Sequence, residues 1–347
     1  MGQSAKWLRR VRRHDDRGAH PRRGRLDHVD ALMVLLVLIW GTAFPVIPLL
    51  ERFLDPFQLT WYRYLPFPLV YGAYILLRRR AILAQVTGRD WLAMAALGFV
   101  GVVGYHFSLN WAMSDAGGTA VTAATGAILV ATTPLWTLIL SLVLGRERLR
   151  PLAAAGSLVA FAGVVLVVLK GQGEAHLTLA AKAAIAMVAP LSWALYSVFT
   201  KPLITKYGGV VVTGVTLSLG TATLVPLGVR YGFAPLARLG PVEWGWLAFL
   251  ALLSTALGYA IWNYAIRERS ASSVTTYIYL NPVVATVMGA WVLPYVGSGF
   301  PRAAVTGWFL AGGALVLAGL ALVHRARMQA PTAAAAVTPA EAEGTRP

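Results

Sequence analysis

Residues 31–50 read ALMVLLVLIWGTAFPVIPLL, twenty residues without a charge, and about twenty apolar residues is what a helix needs to cross the hydrocarbon core of a bilayer. Nine of the 30 Lys and Arg residues precede this run. A basic segment before an apolar one can be a signal peptide, but this run is too long for a signal core and lacks a small-residue cleavage site, so it reads as a first span. The pairs Arg12-Arg13 and Arg22-Arg23 lead into no short apolar core. Residues 1–30 are therefore read as a basic cytoplasmic tail attracted to anionic lipid rather than a twin-arginine signal.

Outward from this run, apolar stretches bounded by charged, Gly or Pro residues recur at 57–77, 91–113, 119–144, 152–169, 179–200, 208–229, 244–266, 272–293 and 303–323. With 57% hydrophobic and 13% charged residues, the expectation is an all-α integral membrane protein of ten transmembrane helices, with the lipid bilayer as its first partner. The net charge of +16 lies in the tail and the short loops, a topology signal rather than a nucleic-acid footprint. One alternating set of segments holds 23 Lys and Arg and the other holds 6, which leaves Arg63 as the only basic residue well inside a span. That imbalance puts both termini in the cytoplasm and requires an even number of spans. From Pro331 onward the chain is rich in Ala, Pro, Thr and Glu, so residues 324–347 are expected to be a cytoplasmic, disordered tail.

The chain also repeats itself. A shift of 153 lays Trp40 on Trp193, Trp91 on Trp244, Asn110 on Asn263 and Ala112 on Ala265; the register then slips, with Pro134 to Pro282 at 148 and Ala162-Gly163 to Ala318-Gly319 at 156. Two halves, 31–169 and 179–323, of five spans each are implied. Because five is odd, the second half enters the membrane the other way up, an inverted repeat whose site is expected near midplane between the halves.

Span one carries Trp40-Gly41-Thr42-Ala43-Phe44, span two Arg63, span three ends on Asn110-Trp111-Ala112, and span four holds Ala131-Thr132-Thr133-Pro134. Leu144-Gly145-Arg146-Glu147-Arg148-Leu149 then leads into a fifth span punctuated by Gly156 and Gly163. The second half echoes this with Trp193-Ala194-Leu195-Tyr196, Asn263-Tyr264-Ala265 and Leu280-Asn281-Pro282-Val283. In this order, over residues 31–323, the motifs resemble the drug/metabolite transporter superfamily, and in particular its ten-span EamA-type members. The resemblance implies a carrier of amino acids and related small metabolites, mostly outward, in a plasma membrane of the bacterial inner-membrane kind. Two departures stand out: Leu293 to Pro301 replaces the second Gly-x-Glu-Arg turn, and the first half has five extra residues around Gly117 to Gly126.

None of the 14 Asp and Glu residues lies in the middle of a span, which argues against lipophilic-cation substrates and against proton antiport through a buried carboxylate. Arg63 and His106 both fall about 9–10 Å below the outer surface at the helical rise. A cation there can pair with a carboxylate; alternatively Arg63 snorkels to the headgroups. His106 is either a satisfied interhelical hydrogen bonder or a proton switch, so proton coupling stays open. Trp40, Trp193, Tyr196, Tyr259, Tyr277 and Tyr279 lie inside spans, as cavity walls or as packing. The substrate path is thus expected past Trp40, Arg63, His106, Asn110, Trp193, Tyr196, Tyr259, Tyr277 and Asn281, with hinges at Pro134 and Pro282. Gly98, Gly101 and Gly104 form a close-packing stripe. With no cysteine, no His/Asp/Glu cluster and no phosphate-cradling glycine loop, neither enzyme chemistry, a metal, a cofactor nor ATP-driven transport is expected. The competing readings are a membrane scaffold or partner subunit and a carrier of another metabolite class working inward.

Overall fold

A computed structural model describes residues 27–114, 121–145, 151–170, 177–293 and 306–328. Most of both tails, the Arg146-Glu147-Arg148 turn, the segment from Pro294 to Pro301 and the first of the extra residues near Gly117 lie outside them. The described residues are mostly helical, without a strand.

The helix starts are written in local chemistry. Asp27 caps the helix His28–Leu50, accepting from the backbone N–H groups of Val29 and Asp30 at 2.9 and 3.0 Å, while the Asp30 carboxylate accepts from Asp27 N–H at 3.0 Å. Asp55 and Gln58 build the same reciprocal cap on Pro56–Tyr64, with Pro56 in the first turn where its missing N–H costs nothing. Between Val188–Tyr207 and Gly209–Ala222 the chain turns on a single residue, Gly208, at φ +84°. Residues with a Cβ rarely adopt that conformation.

Five of the described helices are long and apolar enough to cross a membrane: His28–Leu50, Gly88–Met113, Thr125–Val143, Ala181–Tyr207 and Pro241–Glu268. Gly209–Ala222 and Val225–Tyr231, bent by 49°, make a sixth if they form one crossing. Some of the apolar runs carry internal breaks, one of them inside a crossing just named. The run 119–144 is divided into Ala123–Val130 and Thr133–Val143 at Ala131-Thr132, just before Pro134. The run 272–293 is an α-turn, a 3-10 stretch Thr276–Leu280, the helix Asn281–Val287 led by Pro282, and a π segment Met288–Val292. Both prolines sit where the preceding helix loses its next N–H donor.

Polarity is arranged inside out. Leu76, Leu77, Leu92, Val143, Val229 and Trp308 are exposed, whereas Thr60, Asn110, Ser197, Thr216 and Asn263 are buried. Buried hydroxyls turn back onto their own helix, as Thr60 does to the Pro56 carbonyl at 2.7 Å and Thr216 to the Val212 carbonyl at 2.6 Å, which lowers the cost of a polar group in an apolar setting. Small residues let backbones touch. A Cβ on Gly98 would strike the Thr216 carbonyl, and Cβ atoms on Gly156 and Gly163 would strike the carbonyls of Gly319 and Gly312, locking Pro151–Lys170 against Gly307–Met328.

Candidate functional site

Two helices change pitch beside the centre of the bundle. Val100–Gly104 and Phe249–Leu257 are π-helical; one extra residue per turn loosens the backbone ladder there, a feature common at functional sites. A shift of 153 lays the first segment within the second. In the second, Thr255 donates to the Leu250 carbonyl at 2.8 Å and Trp40 Nε1 donates to the Ser254 carbonyl at 2.9 Å. Two residues past the end of each segment stands a buried ring, His106 in one and Tyr259 in the other, again 153 residues apart.

These features frame a narrow internal cavity. Its walls are Trp40, Phe44, Ile47, Tyr105, Trp193 and Tyr259, and its polar lining is Arg63, His106, Ser254 and Asn281. Trp40 stands edge-on to Trp193 with ring centroids 5.2 Å apart, and Trp193 also meets Tyr105 at 5.3 Å and Tyr259 at 5.0 Å. These edge-on and tilted ring contacts join the walls into one aromatic cluster.

Arg63 is only 4% exposed, so its guanidinium does not snorkel out of the bundle. Its Nε donates to Thr255 Oγ1 at 2.7 Å, Nη2 to Ser254 Oγ at 2.9 Å and Nη1 to His106 Nδ1 at 3.5 Å. No carboxylate pairs with it among the described residues. An arginine can only donate, so His106 Nδ1 accepts and the ring's own proton sits on Nε2. That Nε2, together with Trp193 Nε1 and Asn281 Oδ1, is buried without a hydrogen-bond partner among the described residues. A buried guanidinium without an acidic partner, and an imidazole and an indole whose N–H groups have no partner among the described residues, thus belong to side chains that line one apolar space. The set is rich in donors and suited to an anionic oxygen group.

Of the residues expected along the path, Trp40, Arg63, His106, Trp193, Tyr259 and Asn281 line this cavity. The other three are placed elsewhere. Asn110 is buried and donates to Thr60 Oγ1 at 3.0 Å; Tyr196 lies behind Trp193, its hydroxyl accepting from Asn263 Nδ2 at 3.0 Å. Tyr277 donates to Asp30 and accepts from Arg269 Nη1 at 3.2 Å, at the end of the bundle where the first helix starts. Arg269 clamps the same corner, meeting Asp27 at 2.8 Å and Asp30 at 2.6 Å. Its charge is thereby satisfied, and its guanidinium is held above the ordinary arginine range by these carboxylates. Pro134 and Pro282 stand at the helix breaks described above rather than in the cavity wall. Tyr105, Ser254 and Thr255 belong to the site although the apolar runs alone do not single them out; the 153-residue shift from His106 points only to Tyr259. No group of three or more His, Asp or Glu that could hold a metal exists among the described residues.

The EamA-like transporter family model matches the chain twice, at residues 29–169 and 181–325. A protein of Streptantibioticus cattleyicolor described as a probable terminal-alkyne amino-acid exporter is 31% identical over 297 residues, covering 84% of this chain and 92% of its own. An uncharacterized transporter of Archaeoglobus fulgidus is 30% identical over 76% of this chain and 88% of its own, and an inner membrane transporter of Escherichia coli, YedA, is 27% identical over 73% and 79%. A crystal structure of a protein 21% identical covers 87% of this chain and 99% of its own with a TM-score of 0.62, a likeness of fold.

Proposed function

Given that this chain belongs to the EamA-like transporter family, a multi-pass membrane protein and not an enzyme, we propose that it is a secondary carrier that exports amino acids or related small metabolites bearing a carboxylate. The single observation behind the substrate class is Arg63, a buried cation facing an apolar cavity with no acidic partner among the described residues. Burying an unpaired charge costs several kcal/mol, and a substrate carboxylate would offset that cost by accepting two parallel N–H bonds from the fork. His106 Nε2 and Trp193 Nε1 add donors at the same place, while Trp40, Tyr105 and Tyr259 supply apolar wall.

The transport cycle is alternating access between two five-helix halves of opposite orientation, ten spans in all, in the bacterial inner membrane with both termini in the cytoplasm. Two features separated by 153 residues favour this duplicated plan: the π segments beside the cavity, and an Asn–Thr bond that occurs once in each half, Asn110 to Thr60 and Asn263 to Thr213. The breaks at Pro134 and Pro282 are the hinges. The test is uptake and efflux in proteoliposomes with a labelled amino-acid panel, with and without a pH gradient. Transport confined to amines or neutral solutes without a carboxylate would refute the substrate class.

A further inference from the structure

One carboxylate outside the cavity is buried and unsatisfied. Helix His28–Leu50 ends on Glu51, whose backbone N–H donates to the Ile47 carbonyl at 3.0 Å. Ile47 lines the cavity, and Glu51 lies four residues on, one helical turn along the same face. Glu51 therefore stands just beyond the cavity, toward the end where the first helix leaves the bundle. Both of its carboxylate oxygens are closed off from solvent and have no hydrogen-bond partner among the described residues.

A cation acts on it from the helix Leu177–Ala186. Lys182 is 5% exposed; it donates its ammonium to the Ser114 carbonyl at 2.8 Å and sits 5.4 Å from the centre of the Trp111 ring, not within ion-pair distance of Glu51. Asp55, in the turn ahead of Pro56–Tyr64, is the other charged group that acts on Glu51. Burial raises the Glu51 carboxyl well above the ordinary glutamate range; Lys182 pulls it down and Asp55 pushes it up, and burial prevails.

An ionised carboxylate with neither hydrogen bond nor ion pair bears the full cost of desolvation, whereas a neutral carboxyl does not. A lysine held by a backbone carbonyl, with an unpaired acid nearby, is likewise a counter-ion kept apart from its charge. We propose that Glu51 is a proton-binding site at the mouth of the cavity, with Lys182 as the cation that pairs with it once the proton has left to water. Deprotonation would draw Lys182 from Ser114 to Glu51 and pull Leu177–Ala186 toward the end of His28–Leu50. The site goes beyond the carrier reading, and its readout needs no transported molecule.

The test is infrared difference spectroscopy of the full-length protein in lipid nanodiscs, titrated from acid to alkaline pH. The wild type should keep a protonated-carboxyl C=O band at neutral pH, well above the ordinary glutamate midpoint of about 4.3. Glu51→Gln should remove that band, and Glu51→Asp should shift its frequency. Lys182→Met should raise its midpoint, because the ionised form loses its cation. A band at neutral pH that is the same in wild type and Glu51→Gln, or no such band at all, overturns the proposal. If Glu51→Gln cannot be recovered folded, an unmoved band in Glu51→Asp overturns it equally, and an unchanged midpoint in Lys182→Met overturns the role of the lysine.

Discussion

Asn110 donates its side-chain amide to the hydroxyl of Thr60 at 3.0 Å, tying the helix that carries His106 to the helix that carries Arg63. The equivalent Asn263 donates to Thr213 at 2.5 Å and also to the Tyr196 hydroxyl at 3.0 Å. Buried side-chain bonds between membrane helices contribute on average about 0.6 kcal/mol and at most about 1.7 kcal/mol. Asn110→Ala should therefore lower the melting temperature measurably, and Asn263→Ala, which breaks two bonds, should lower it more. Scanning fluorimetry on the two single variants decides the order; the reverse order would contradict the geometry.

Arg63→Gln should raise the KM for carboxylate substrates by about 10- to 100-fold, since hydrogen bonds to a charged group contribute about 1.5–3 kcal/mol and each 1.4 kcal/mol is about tenfold. Arg63→Lys should restore part of the loss, keeping the charge but not the two-pronged geometry. Initial rates in proteoliposomes at matched protein content give the comparison. Unchanged KM values in both variants would remove the arginine from the binding site.

Asp27 gives a pH dependence whose sign can be worked out. The Asp30 backbone N–H, and then Arg269, hold its carboxyl below the usual carboxylate value. A depressed carboxyl stabilises the fold above its unfolded-state pKa, and that stabilisation disappears as pH falls through the folded-state value. Asp27→Asn keeps an oxygen to cap the helix but removes the charge. It should melt below the wild type at neutral pH, and the gap should close below about pH 4. A gap that widens in acid would mean that the charge opposes folding.

A reporter that is active only outside the cytoplasm, fused after Arg327, should be silent, and so should one fused ahead of Asp27. Because the sequence contains no cysteine, single cysteines placed in each connection can be labelled from one side of the membrane without first clearing native thiols. Labelling that fails to alternate from one connection to the next would contradict the ten-span plan.

The apolar runs are legible because burial in lipid demands length and hydropathy, and both can be counted. The breaks are not: hydropathy is blind to backbone pitch, so Ala131-Thr132 and the 3-10 turn at Thr276–Leu280 read as continuous helix. Arg63 and His106 could be paired from depth alone, as the rise per residue sets depth on adjacent antiparallel helices. Tyr277 shows the limit of that reasoning. It lies in an apolar run like Tyr259, yet Asp30 and Arg269, distant in sequence, recruit its hydroxyl to the bundle's end. Ser254 and Thr255 reach Arg63 through a π segment that no local pattern announces.

The contact of Pro151–Lys170 with Gly307–Met328 bears on how variation in this chain should be interpreted. At Gly156, Gly163 and Gly319 the two backbones come together so closely that even a methyl group must part them, and neither helix contributes a residue to the cavity. In a saturation scan scored by growth, these glycines would be as unforgiving as Arg63. Only an assay that separates the amount of protein from its turnover would tell the seam from the site.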